Sequence, residues 1–561
     1  MKYLLALILA VSTLPLTAQW TSNTQINTEV KDSIGFEESV PLSATTSDGK
    51  TFVSYFAQYN GGYQMRLQLL DSAGYKLFGP AGLLVSNFPQ STALFRYDLK
   101  LDSEDNAVVA FQDIRTGGAL NIVAYKIDPL GNFIWGNNGI QLIDPVSTEG
   151  LGPNIGFTNA GNVIISWNAS SANASWVAVE KLSPGGTLMW TNTLRVIDST
   201  FTKRYTRPST VPVGADDFSM LYVEQTGFGL GVSNMYAQRY DSNGNSFWIS
   251  PIHISTKTIS FFYFCKAISD DQGGFFVGFS TSDANFPALS DVYVQHVDSS
   301  GNLWNATGNI ACNVPNIQRY CNATRFSSTN NTFWVLMKVT DVNQNQSGVT
   351  VQSFDITGNV LLTPAAVPLR PISSTYDDPS DFAITSDGII AFYITGNLPN
   401  QTINAIKSDF FGNLQWNGFQ ANICTNSSGK DDLAAGLFVN NQVVAVWTDY
   451  RNDYGVYAQN IRNDGQMGPL TSIQSVSGEA NGIFVYPNPF ENTINLKLNN
   501  IDSGVINLKL TDISGRIIWQ NQMETNENVI SNLTLQAINS GVYFLEIRSS
   551  GSASVLKMIR K

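Results

Sequence analysis

One phrase returns eight times along the 561 residues: a strand-like run, then Asp-x-x-Gly, often Asn next, and a large apolar residue, usually Trp, four positions after the glycine. It reads Asp71-Ser-Ala-Gly74 with Phe78, Asp128-Pro-Leu-Gly131 with Trp135, Ser183-Pro-Gly-Gly186 with Trp190, and Asp241-Ser-Asn-Gly244 with Trp248. Then follow Asp298-Ser-Ser-Gly301 with Trp304 one place early, Asp355-Ile-Thr-Gly358 with Leu362, Asp409-Phe-Phe-Gly412 with Trp416, and a shortened Asn463-Asp464-Gly465. Successive glycines lie 53 to 58 residues apart, so a single structural unit is repeated and the units must stack on one another. The turn has a physical reason: Asp accepts from a nearby backbone N–H, and Gly takes the positive φ needed before the chain re-enters a strand.

Each unit holds a second, more apolar strand behind its own turn, as in Thr51–Phe56, Ala107–Phe111, Val163–Trp167, Phe275–Phe279, Ile389–Tyr393 and Val443–Trp447. An alternating strand follows, such as Val123–Ile127, Met235–Tyr240, Val292–Val297 or Val456–Ile461. Period-two alternation rich in β-branched and aromatic residues marks strands, and no 3.6-residue apolar period persists. Four strands in about 56 residues predict an all-β chain: a β-propeller of four-stranded blades, which closes on itself and leaves few exposed edges. Independent sandwich domains need roughly 100 residues each. Trp20 looks like the Trp of a turn whose Asp-x-x-Gly is missing, and Gly465 supplies a turn with no later unit, so the ends are expected to complete one ring. Eight blades over residues 19–476 are expected, or seven if one end unit is incomplete.

Residues 1–18, MKYLLALILAVSTLPLTA, carry one Lys, an apolar run and small residues, the layout of a secretory signal peptide. That run is too short to span a bilayer, so no transmembrane segment is expected. Lys plus Arg number 32 against 44 Asp plus Glu, a net charge of −12, which argues against nucleic-acid or anionic-membrane partners. Four cysteines, Cys265, Cys312, Cys321 and Cys424, form no CxxC. In an exported chain they are either disulfide-forming, with Cys312 and Cys321 the nearest pair, or small buried hydrophobes.

After a Ser/Gly-containing linker, expected at 477–482, the phrase chemistry changes. Residues 483–561 contain Val485-Tyr-Pro-Asn-Pro-Phe490, Asp512-Ile-Ser-Gly-Arg516, Leu535 six residues before Gly541-Val542-Tyr543, and the basic end Lys557-Met-Ile-Arg-Lys561. Alternation and turn spacing predict a small Ig-like antiparallel β-sandwich of about seven strands. The motifs, in this order, resemble the type A C-terminal sorting domain of the type IX secretion system of Bacteroidetes. The resemblance implies export through the periplasm, docking of the tail on the outer-membrane translocon, and a secreted or cell-surface protein. It assigns Gly541, Val542, Tyr543, Lys557 and Lys561 as recognition elements without a catalytic role. Gly541 would allow a turn or close approach, and the terminal cations would meet an acidic receptor. The upstream units resemble propeller-like repeats of secreted proteins from that phylum.

Signals for chemistry are sparse. The two histidines, His253 and His296, sit in no Gly-x-Ser-x-Gly or HExxH setting, which disfavours a serine hydrolase or a zincin. The Asp-x-x-Gly turn differs in register from the Ser-x-Asp-x-Gly-x-Thr-Trp box of sialidase-like propellers. Glu224, Asp113 with Arg115, and Asp449 with Arg451 follow the second strand of their units and are candidate groups on one face of the ring; ion-paired turns are the simpler account. Trp135, Trp190, Trp248 and Trp416 form either a sugar-stacking stripe or, as their common phase suggests, packing between blades. Acidic turns at 102–106 and 270–274 are weak calcium candidates; no cofactor is indicated. A binding protein for an extracellular polysaccharide or protein is therefore expected, with no catalytic residue assigned. The alternatives are an extracellular carbohydrate-active enzyme using carboxylates and a structural surface or motility component.

Overall fold

A computed structural model describes residues 20–90, 96–115, 117–227, 232–260, 266–281, 289–416, 419–468, 483–486, 490–498, 504–512, 516–525, 529–535, 538–549 and 552–560. The expected signal segment and linker lie outside them, as do Cys265 and Lys561. The described residues contain strands and turns and no helix, so none forms an apolar helix able to cross a membrane. Contacts divide the chain into two compact units, Met1–Pro469 and Leu470–Lys561.

The first unit is an eight-bladed β-propeller, every blade an antiparallel four-stranded sheet. Blade 1 runs in order through Glu38–Thr45, Thr51–Tyr59, Gly62–Leu70 and Leu83–Gln90, and blades 2 to 7 repeat that plan. The first strands of blades 2 to 8 are Asp98–Leu101, Glu149–Phe157, Lys203–Val213, Ala267–Ser269, Ile317–Ser327, Asp377–Ile384 and Lys430–Ala435. Each first strand touches the first strands of both neighbours, and that of blade 8 touches that of blade 1, so the eight surround a central axis. Blade 8 takes its outer strand, Thr28–Lys31, from the start of the chain, paired with Gly455–Arg462.

The repeated turn is the joint between blades. In each copy the glycine N–H donates to the carbonyl three residues earlier, as Gly131 does to Asp128 at 2.9 Å. The Asp128 carboxylate accepts from the N–H groups of Leu130 and Asn132. The eighth turn starts one residue earlier than the spacing suggested, from the Arg462 carbonyl. A Trp from the preceding blade lies on the turn and donates its indole N–H to a turn carbonyl: Trp135 to Pro184 at 3.0 Å, Trp190 to Ser242 at 3.1 Å, Trp304 to Ile356 at 3.0 Å and Trp416 to Asn463 at 2.9 Å. Trp20 does the same to Ser72 of blade 1, so it is the Trp of blade 8 supplied from the other end. Cations reinforce the joint: Lys126, Lys181 and Lys407 donate to the carbonyls used by Trp135, Trp190 and Trp416, while each pairs with an Asp of a neighbouring turn. The tryptophans thus pack between blades, and apolar burial between sheets continues around the ring.

The cysteines mostly behave as hydrophobes. Cys312 is buried and not bridged to Cys321, its thiol lying 3.1 Å from the Ala365 carbonyl. Cys424 is buried beside Asp449 and Arg451.

The second unit is a two-sheet sandwich of seven described strands. Ile483–Tyr486, Thr493–Leu498 and Val529–Thr534 form one sheet; Gly504–Asp512, Ile517–Thr525, Gly541–Ser549 and Ser552–Arg560 form the other. Ile494 and Leu496 from the first meet Leu508, Leu510, Leu545 and Met558 from the second in one apolar core.

Candidate functional site

The carboxylates singled out from sequence share one position at the end of the second strand, and each is consumed by its own surroundings. Asp113 is gripped by Arg115 at 2.7 Å. Glu224 pairs with Lys203 at 3.0 Å and accepts from Tyr205; burial and Glu224 push the Tyr205 phenol up to about 12. Asp449, fully buried, takes Arg451 at 2.6 Å, Lys430 at 3.3 Å, the Trp447 indole at 2.9 Å and the Ser428 hydroxyl at 2.7 Å. Arg451 reaches on to the Ile26 carbonyl at 2.8 Å, so this cluster fastens the closing segment. His296 bonds Asp270 at 2.8 Å inside a blade joint, and His253 stacks on Tyr236. Asp102 is likewise taken up by its turn and by Lys126.

A site of another kind lies on the axis. Among the described residues, six of the blades bulge in the first strand, where the register against the second strand slips by a residue. Val40, Gly152, Arg207 and Asp432 sit at the bulges with φ between 52° and 59°. Three are followed by Pro41, Pro153 and Pro208, which lack the N–H that the interrupted ladder cannot use. A bulge turns side chains away from the regular pleat; placed at one level around the ring, these steer residues toward the channel.

The channel holds a cavity of about 390 Å³ lined by Arg96, Lys266, Asn322, Arg325, Ser380 and Asp381, among others. Arg96 precedes the first strand of blade 2 and Arg325 belongs to blade 6, opposite it in a ring of eight, so the cavity spans the axis. Lys266 of blade 5 reaches to 3.9 Å from Asp98 of blade 2, and Lys100 lies 4.0 Å from the same carboxylate. Asp98 also accepts from the Ile155 N–H at 2.9 Å and from Asn154. Arg325 grips Asp381 through 2.8 and 2.9 Å contacts, and Asp381 accepts the Ala435 N–H at 3.1 Å, tying blades 6, 7 and 8 together. Asn322 donates to the Pro379 carbonyl at 2.7 Å.

The electrostatics are uneven. Burial and the neighbouring charge of Arg207 pull the Arg96 guanidinium down to about 10. Burial, with Asp431 adding to it, pushes the Asp432 carboxyl up to about 6.

Sequence reasoning missed this site because its residues do not repeat. A signal was present: Asp98, Asn154 and Lys266 each stand nine residues before their second strand, a position that varies freely where the turns do not.

In the second unit Gly541, Val542 and Tyr543 open a strand in register with Arg560, Ile559 and Met558, and Lys557 faces Phe544. A Cβ on Gly541 would meet only the Tyr543 ring at 3.7 Å, so the expected turn or close approach within the chain is not what calls for glycine there. The Tyr543 hydroxyl donates to the Asn539 carbonyl at 2.7 Å.

No curated protein matches the chain. Among solved structures, it is similar to a protein of unknown function from Dyadobacter fermentans at 8% identity, covering 78% of this chain and 98% of that one with a TM-score of 0.37. It is also similar to an alpha-L-arabinanase of Penicillium chrysogenum complexed with arabinobiose (12% identity, 60% and 98% covered, TM-score 0.36) and to the polysaccharide lyase Uly1 (9%, 77% and 91%, TM-score 0.39). Residues 484–561 match the family model of the secretion system C-terminal sorting domain. The tail is thus a type IX sorting domain, which engages the secretion system and marks the protein for the cell surface or the extracellular space.

Proposed function

We propose that this is a secreted or cell-surface binding protein whose propeller takes an extracellular polysaccharide in its central channel. The observation that carries the reading is the cavity on the axis, whose polar wall is assembled from blades 2, 5, 6 and 7, with Leu433 of blade 8 beside it. Its volume falls within the roughly 300–1,000 Å³ of small-ligand pockets. Asn322, Thr324 and Ser380 supply amide and hydroxyl groups of the kind that pair with sugar hydroxyls. The test is retention of the full chain on a panel of soluble and insoluble polysaccharides, with released reducing sugar scored in the same samples. Retention without release supports the reading; no retention on any member refutes it.

One observation favours the carbohydrate-active enzyme as the second reading: the raised Asp432 carboxyl, next in sequence to Leu433 of the cavity wall, is a candidate proton donor, and Asp381, paired with Arg325, is a second carboxylate on that wall. Release of sugar that is lost in Asp432→Asn would move the assignment to that reading.

For the tail, Gly541, Val542, Tyr543, Lys557 and Lys561 are proposed as the contacts with the translocon. Gly541 leaves no side chain over its strand start, and Lys557 with Lys561 supplies positive charge. A charge-reversed Lys557→Glu with Lys561→Glu should retain the protein in the cell envelope, read by fractionation; undiminished export would refute the assignment.

A further inference from the structure

We infer that the channel selects an acidic polysaccharide, one bearing carboxylate or sulfate groups along its chain, over neutral glycans. The inference rests on the reading that the channel is the ligand site and adds the chemical class of the ligand.

Three cations line the cavity, Arg96, Lys266 and Arg325, against one carboxylate, Asp381. Arg207 stands close enough to Arg96 to act on its charge. These cations gather in a chain whose net charge is −12, so the axis runs against the sign of the whole molecule. Low-dielectric walls focus such a field on the channel and draw in anions. Asp98 offsets part of it at 3.9 Å from Lys266, but Lys100, 4.0 Å from the same carboxylate, balances that charge in turn. Asp381, which also accepts the Ala435 N–H, and Arg325 offset each other, so the excess positive charge of the wall rests on Arg96 and Lys266.

The distribution of charge distinguishes a polymer from a point anion. The lining cations come from blades 2, 5 and 6, so they surround the cavity rather than converge on one spot. A single phosphate or sulfate meets one of them; a glycan with repeated charges meets several, while its hydroxyls meet Asn322, Thr324 and Ser380. Lys266, with its side chain 63% exposed against 30% for Arg325, is the more open of the two to an incoming chain.

The experiment titrates the full chain with polygalacturonate, chondroitin sulfate, dextran and amylopectin, each at 50 and 500 mM NaCl, and separately with inorganic phosphate and sulfate. Lys266→Gln and Arg96→Gln are compared with Arg548→Gln, an equal charge change in the tail. The expected result is binding of one or both acidic polymers, weakened about tenfold or more by high salt and about tenfold by each channel substitution. Arg548→Gln should leave the affinity unchanged. Lys266→Gln removes a mostly exposed side chain whose long 3.9 Å ion pair with Asp98 adds little stability, so its thermal midpoint should stay near the parent's and keep the comparison interpretable. Equal binding of neutral and acidic polymers, insensitive to Lys266→Gln, overturns this inference while leaving polysaccharide binding standing. Saturation by phosphate or sulfate alone, with the polymers no tighter, also overturns it. Silence of every polymer overturns the underlying reading as well.

Discussion

The joints between blades predict a graded response to the smallest substitution available, a methyl group on the turn glycine. At Gly358 the backbone has φ +92°, and a Cβ would fall 2.8 Å from the Trp304 ring and 2.7 Å from the Asn309 amide. At Gly131 φ is nearly the same, +86°, but the nearest atom would be Phe78 at 3.4 Å, an ordinary contact. Both alanine variants bear the left-handed backbone penalty of about 1–2 kcal/mol, reduced by about 0.5 kcal/mol through the stiffer unfolded chain. Only Gly358→Ala must also displace an indole, an overpacking cost of about 1–3 kcal/mol. Doing so stretches the 3.0 Å bond from Trp304 to the Ile356 carbonyl, worth about 1 kcal/mol. The expected losses are about 1 kcal/mol for Gly131→Ala and about 3 kcal/mol for Gly358→Ala, read from urea midpoints at matched slope. A cycle isolates the cause: in a Trp304→Leu background, Gly358→Ala should cost only the backbone share and the turning aside of the flexible Asn309 amide, a coupling of about 2 kcal/mol. Equal losses at the two glycines, or a full loss at Gly358 without the indole, would refute the account of the joint.

Asp449→Asn leaves Lys430 and Arg451 facing each other in a buried cluster, and a loss of about 3–5 kcal/mol in chemical unfolding is expected. Asp432 gives a pH signature of opposite sign to the usual carboxylate. Its folded-state value of about 6 lies above the unfolded one, so its favourable contribution is complete below about pH 4 and declines by about 3 kcal/mol as the pH rises through 6. Asp432→Asn should remove that slope from thermal midpoints measured between pH 4 and 7. Trp20→Ala deletes the cap between blades 8 and 1, with an expected cost of about 3–5 kcal/mol. Limited proteolysis should then cut first among residues 20–31; unchanged cleavage would count against Trp20 as the clasp.

What repeats was legible and what does not repeat was not. The Asp-x-x-Gly spacing announced the blades because every turn solves the same problem, a reversal under a neighbouring ring. The stray Trp20 announced closure because a joint half is meaningless alone. Recurrent Gln68, Gln238, Gln295 and Gln352 escaped notice, although each ties the loop after its strand through backbone hydrogen bonds. Arg96, Lys266 and Arg325 stayed invisible for a deeper reason. They are distant in sequence and unlike one another, and only the ring's curvature brings them to one cavity. Asp113 and Asp449 were legible together with Arg115 and Arg451 of their own turns, whereas Lys203 and Lys430, which pair with Glu224 and Asp449, come from first strands that spacing alone does not bring near.

The borrowed strand of blade 8 orders events in time. Thr28 meets Ala458, so the earliest strand to emerge waits for nearly the last of the ring before it has a partner. Bringing together ends roughly 430 residues apart costs about 5 kcal/mol of chain entropy if the chain between them is unordered, and much less once blades 1 to 7 have stacked and carry the ends toward each other. As the chain is made from its N-terminal side, the propeller can therefore assemble blade by blade but cannot latch until the whole ring has emerged. Until then it stays an open arc with both outer faces unpaired, a form that a translocating pore or a folding helper can still hold.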